Sequence, residues 1–233
     1  MIQHYTMTDG LPSVRIKCYI MADKIVDKYN SFIKKNKQEL VKKGWNLSSK
    51  SDSFQNKELR MNIVTSLFKN SVDVTFNFDT VDKANEHIDK EVQWIVKRIL
   101  NLDAKARLNI DVTVGDKRGL RLSPGLYEQL LCEAGYRNTK FLEKRYRKFE
   151  IIDGLNITTN VFVTGTPRDS EVDYVLDLEN SIIDTSQIQD AMDNAMYYYY
   201  LKYVRLHYEL LSQIQPSFIK VNQNFYDSIE AFI

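Results

Sequence analysis

The chain is short of the residues from which linkers, disulfide staples and metal cages are made. Of its 233 residues only 8 are Gly and 4 are Pro, too few for long linkers or low-complexity tails. Cysteine occurs twice, as Cys18 and Cys132, each inside an apolar pattern, so buried free thiols are expected rather than a disulfide framework. The 3 histidines, His4, His87 and His207, share no metal-ligand spacing. Neither sign of charge dominates: 32 Lys and Arg against 31 Asp and Glu leave a net charge of +1. The overall positive field of a dedicated nucleic-acid binder is therefore missing, although a local basic face stays open.

Other absences narrow the chemistry. No basic-then-apolar leader is visible in Met1 to Gly10, and no apolar run reaches the roughly 20 residues of a membrane span. A cytoplasmic setting is expected, or an assembly formed there, with no membrane partner. The segment Val114-Gly115-Asp116-Lys117-Arg118-Gly119 lacks the spacing of a phosphate-binding loop and reads as a turn. No Gly-x-Ser-x-Gly elbow is present, and neither cysteine has a histidine near it in sequence. No cofactor is implied, and catalysis is not the expected role. The wealth of Lys, Asn, Ile and Tyr suits an AT-rich microbial or phage genome.

What the chain has is clear periodicity. Val14, Ile16, Cys18 and Ile20 alternate with Arg15, Lys17 and Tyr19, which predicts a strand over 14–21. Ile25, Tyr29, Phe32, Ile33, Asn36 and Leu40 recur at helical steps up to Gly44, with lysines on the other sides as a solvated face. Residues 45–57 read as a polar loop. Strands are expected over 61–68 and 72–78 as a hairpin, a helix over 82–102, and a strand over 107–114. A short helix is expected from Ser123-Pro124 to Gly135, then strands over 147–152 and 155–164 joined by Asp153-Gly154. A last strand covers 172–178. No repeat of fixed period is visible.

The expected fold is α+β: a largely antiparallel mixed sheet of about six or seven strands, covered by helices on one side. A long C-terminal helix and a shorter one follow. Residues 1–185 form the α+β domain in this reading, and 186–233 a helical hairpin packed on it or on a partner subunit.

Three surfaces are candidates for function. Residues 186–215 form an unbroken helical pattern about 40 Å long, with tyrosines on most sides. A helix apolar nearly all round needs cover from its own domain or from another subunit. Tyr197, Tyr198, Leu201 and Tyr208 are the expected partner-binding residues, the partner being a second copy or another protein. The expected role is accordingly a structural or adaptor subunit in a larger assembly.

The second candidate is a basic-aromatic segment. Arg137, Lys140, Arg145, Arg147 and Lys148 interleave with Tyr136, Phe141, Tyr146 and Phe149, a composition that can hold phosphates and stack bases. It supports the alternative of a nucleic-acid-binding accessory protein. The third is an acidic set, Glu171, Asp173, Asp177, Glu179 and Asp184. Carboxylates at alternate strand positions can share a divalent cation, as a metal-dependent enzyme would require, but solvent-facing Asp arises there without any such role.

Overall fold

In the computed structural model the described residues are 12–47, 52–55, 60–120, 124–140, 144–165, 170–182 and 184–214. Strand β1 (Ser13–Met21) leads into helix α1 (Ile25–Lys42) and short strands β2 (Trp45–Asn46) and β3 (Asp52–Gln55). The hairpin β4 (Arg60–Ser66) and β5 (Ser71–Phe78) follows, then α2 (Val81–His87), a π-helical turn at Ile88–Val92 and α3 (Gln93–Leu100). The second half begins with β6 (Arg107–Leu120) and α4 (Pro124–Glu133). It continues with β7 (Arg137–Lys140), β8 (Arg145–Ile152), β9 (Leu155–Gly165), β10 (Ser170–Ile182) and α5 (Gln187–Ile214). The result is an α+β fold.

Among the described residues ten strands form one sheet in the order β2-β3-β4-β5-β1-β6-β10-β9-β8-β7, and every pairing is antiparallel. The antiparallel sheet is the one expected, but its strands outnumber the expected six or seven. Two of the missed strands, β2 and β3, lie in the stretch read as a loop over 45–57, and β7 is a four-residue edge strand with too few positions to alternate. The expected turn at 115–119 is also a strand, since β6 runs on to Leu120. Gly115 sits where a Cβ would come within 3.3 Å of the Tyr174 carbonyl oxygen on β10, so the glycine there permits close strand approach.

The absence of a repeat in the sequence does not carry over to the structure. Each half of the chain follows the plan strand, helix, four strands, helix. The sheet order of each half, read from the centre outward, is first strand, fifth, fourth, third, second. β1 corresponds to β6, α1 to α4, β2–β5 to β7–β10, and α2–α3 to α5. Because β1 and β6 pair antiparallel at the centre, the halves are related by an approximate two-fold axis between them. The likeness lies in the order of elements and of strands in the sheet.

One sheet face carries the helices and the core. Val14, Ile16, Cys18 and Ile20 of β1 are at most 1% exposed, as are Val72, Val74 and Phe76 of β5 and Ile110, Val112 and Val114 of β6. A one-residue slip in any of these ladders would turn the whole set into solvent, so the register is pinned. Helices α1, α2 and α3 pack on β5 and β1, α4 on β9, β8 and β7, and α5 on β10 and β6. Ile188, Met192, Ala195 and Tyr199 of α5 are buried in the same core, so the first half of this helix is covered by its own chain. Of the two thiols expected to be buried, Cys18 is, but Cys132 is exposed. On α4 the core takes Leu130 and Leu131, and the next residue has already turned to the outer side of the helix. The shorter helix expected near Phe218 lies outside the described residues. No helix among the described residues is long and apolar enough to cross a membrane.

Candidate nucleic-acid interface

Alternation along each strand turns a second set of side chains away from the helices. On β1 these are Arg15, Lys17 and Tyr19, on β6 Asn109, Asp111 and Thr113, and on β9 Asn156, Thr158, Asn160 and Phe162. β8 contributes Arg145, Arg147, Phe149 and Ile151 to the same face, because Arg145 pairs with Phe162, Arg147 with Asn160 and Phe149 with Thr158. No described helix covers this face. With strands about 4.8 Å apart, ten of them span roughly 43 Å.

A hydrogen-bonded belt crosses five of these strands. Arg15 Nη2 donates to Thr113 Oγ1 at 3.0 Å, and Thr113 Oγ1 donates to Asp177 Oδ1 at 2.7 Å. Asn160 Nδ2 donates to Asp177 Oδ2 at 3.1 Å. The Asn160 carbonyl in turn accepts from Arg145 Nε and Nη2 at 3.1 and 2.9 Å and from Arg147 Nε at 3.0 Å. Asn160 is only 1% exposed, so its amide orientation is fixed by its neighbours and it holds both guanidinium groups in place. Arg145 also stacks on Phe162, 5.3 Å from the ring centroid.

Next to the belt, Phe149 is 59% and Ile151 66% exposed. Arg137, across from Arg147 on β7, is exposed as well. The outer margin of the second half therefore presents three arginines, an aromatic ring and an aliphatic side chain together. Toward the centre acidic side chains join Arg15 and Lys17, and Lys17 pairs with Asp73 of β5 at 3.8 Å. Tyr19, Asn109, Asp111, Asn156 and Glu179 help line an open depression of about 530 Å³. Burial holds the Asp111 carboxyl above the ordinary aspartate value despite a hydrogen bond from Tyr19, and the nearby Asp177 adds to this. Burial, then the Asp111 carboxylate, push the Tyr19 hydroxyl upward as well.

The sequence-derived candidates are thus divided by the sheet. Arg137, Arg145 and Arg147 share the helix-free face, whereas Lys148 points to the helical side, donating to the Ala134 carbonyl at 3.4 Å and lying over the Tyr136 ring. Tyr146 is on that side too and donates to Glu128 Oε2 at 2.9 Å. Lys140 pairs with Arg145 through its backbone, and its side chain lies outside the described set. The flat segment in sequence becomes two chemically different faces because successive strand residues point in opposite directions.

On α5, Tyr198 is buried and donates to Asp153 Oδ2 at 3.1 Å, and Leu201 packs against the core. Tyr197 is 40% exposed, while the Tyr208 side chain lies outside the described set. Of the acidic candidates, Asp177 is committed to the belt and Glu179 borders the depression. Asp184 accepts from the Ser186 backbone N–H at 2.8 Å in the turn that precedes α5. The side chains of Glu171 and Asp173 lie outside the described set. Among the described residues no group of three or more His, Cys, Asp or Glu side chains is placed to hold a metal ion.

The functional features missed by sequence reading are Asn160, Thr113 and Arg15, whose polar alternation was visible but whose convergence across strands was not. No family model, curated protein or solved structure matches this chain.

Proposed function

We propose that the protein is an adaptor that works by contact and holds nucleic acid on the helix-free face of its sheet. One observation carries this reading: Arg137, Arg145 and Arg147 stand beside solvent-exposed Phe149 and Ile151 on a sheet surface that no described helix covers. Arginines supply phosphate contacts, and a ring or aliphatic group held out from a rigid strand can stack on a base or wedge between base steps. A face this wide exceeds one helical turn of duplex, about 34 Å, and is far too broad to enter a groove about 12 Å across. Contact is therefore made by the sheet surface, with individual side chains reaching the bases.

The central carboxylates Asp111, Asp177 and Glu179 shape the same reading, Asp73 being paired with Lys17. They oppose phosphate at the middle of the face, so backbone contacts belong to the arginine-bearing margin. The near-neutral total charge is consistent with a localised grip of this kind.

Binding of short single-stranded and duplex DNA and RNA at several salt concentrations tests the reading. Salt-sensitive binding is expected, with Arg147→Glu weakening it and lowering the magnitude of the salt slope by about 1 for each phosphate the variant no longer neutralises. Absence of salt-sensitive binding to all four ligands sinks it.

A protein contact on α5 is a second reading, favoured by Tyr197 and Tyr200, each 40% exposed on the same helix. It calls for self-association or a partner subunit. Light scattering at micromolar concentration, repeated with Tyr197→Glu, tests the self-association form: a monomer in both cases removes it.

A further inference from the structure

The outer surface of the helical layer carries a different feature. Trp94 on α3 is 38% exposed, although tryptophan is a residue that proteins mostly bury. Two cations from two helices flank its ring. The Arg98 guanidinium carbon lies 4.5 Å from the ring centroid, and Lys43 Nζ, at the end of α1, lies 5.3 Å from it. The exposed Lys35 and Lys42 stand one turn to either side of Glu39 on α1, and the exposed Lys90 one turn ahead of Trp94.

Glu39 is the acid facing these cations from α1, and it is already paired with Lys43 at 3.0 Å. On the other side Glu91 is taken by His87, also at 3.0 Å. The patch is thus an indole ring contacted by Arg98 and Lys43, of which Lys43 is paired with Glu39, with further exposed lysines along the same two helical segments. Trp and Arg are the residue types that most often carry binding energy at protein interfaces. Both cations lie over the ring, so a partner's apolar side chain would meet the part of Trp94 that stays exposed.

We infer that this patch docks an acidic segment of a partner protein. The segment lays an apolar or aromatic side chain on Trp94 and sets its carboxylates against Arg98, Lys43 and the lysines around them. Charge complementarity selects the partner class: lysines and Arg98 outnumber the acids on this surface, Glu39 being spent on Lys43, so a basic segment would be repelled. The patch lies on the helical side of the sheet and shares no residue with the bare face, so the inference stands even if nucleic-acid binding there fails. If both hold, the chain bridges a nucleic acid on one side and an acidic protein on the other.

The test uses the full-length chain and fluorescence anisotropy of three labelled probes. The first is a synthetic peptide in which Asp and Glu alternate with Phe and Leu. The second replaces its Phe and Leu by Ala, and the third is a short DNA duplex. The first peptide is expected to bind, with Trp94→Ala weakening it by roughly thirtyfold and Arg98→Glu or Lys43→Glu weakening it at least as much. The Ala peptide should bind correspondingly more weakly, and duplex binding should be unchanged by all three substitutions. Thermal melts establish that the variants are folded, and Lys43→Glu leaves α3 untouched should either α3 variant be unstable. No binding of the first peptide overturns the inference, as does an affinity unaffected by Trp94→Ala. Loss of duplex binding in Arg98→Glu overturns it too, by making the patch a phosphate-binding surface.

Discussion

Asn160→Ala removes the side chain that ties the arginines of β8 to the carboxylate of β10. Its bond to Asp177 joins an amide to a charged group in a half-buried setting, and such a bond contributes about 1.5 kcal/mol. The three donations from Arg145 and Arg147 converge on one oxygen of a face open to water, so together they add only about 1 kcal/mol. The expected destabilisation is therefore about 2–3 kcal/mol, or a drop in Tm of roughly 5–10 °C for a chain of this size. Both guanidinium groups keep their charge but lose their fixed positions. Re-ordering two such side chains on binding costs about 0.5–1.5 kcal/mol each, which weakens nucleic acid by about five- to a hundredfold. The salt slope should stay at the wild-type value because no phosphate-pairing charge is removed. Thermal melts and anisotropy titrations across a salt series measure the two effects separately. An unchanged Tm would show that the belt does not support the sheet. A salt slope reduced as far as in Arg147→Glu would show that Asn160 does not act by positioning.

Three further outcomes are expected. Asp111 has a folded-state pKa raised by burial, so the folded chain binds more protons there than the unfolded one. Its contribution is favourable below the ordinary aspartate value of about 3.9 and is lost as pH rises through the higher folded value. Asp111→Asn should accordingly raise Tm at neutral pH and flatten this part of the pH profile; an unchanged or lower Tm there would contradict it. Cys18 is buried and its thiol is pushed up to about 12, while Cys132 is exposed. A disulfide-exchange reagent should label Cys132 rapidly in the folded protein and Cys18 only on unfolding; fast labelling of both would refute the packing of β1. Phe149→Ala should leave the fold intact, since the ring is mostly in solvent, and should weaken single-stranded ligands by about 1–3 kcal/mol if the ring stacks on a base. Equal affinity for wild type and variant would remove that role.

How much of this was legible follows from the range over which each signal acts. The alternation of Val14, Ile16, Cys18 and Ile20 identified β1, and Asp153-Gly154 identified the β8–β9 turn, with both residues at positive φ as a tight turn requires. The arginines and aromatics of 137–149 were visible as a cluster. Their division into Arg145 and Arg147 on one face and Tyr146 and Lys148 on the other became clear only once β8 was seen as a strand from Arg145 onward. The π-helical turn at Ile88–Val92 was also hidden, because the apolar spacing of Ile88, Val92 and Ile95 fits a regular helix equally well.

By itself the sequence determined the local elements and which side of most strands is apolar, because hydrophobic periodicity and turn residues act over a few neighbouring positions. It also settled that the chain carries almost no net charge. Tertiary structure alone decided that two similar halves join across β1 and β6 into one ten-stranded sheet. It alone brought Arg15, Thr113, Asp177, Asn160 and Arg147 into a single belt. Those residues lie far apart along the chain, and only inter-strand hydrogen bonding, which pairs distant segments by backbone geometry rather than by side-chain identity, can set them side by side.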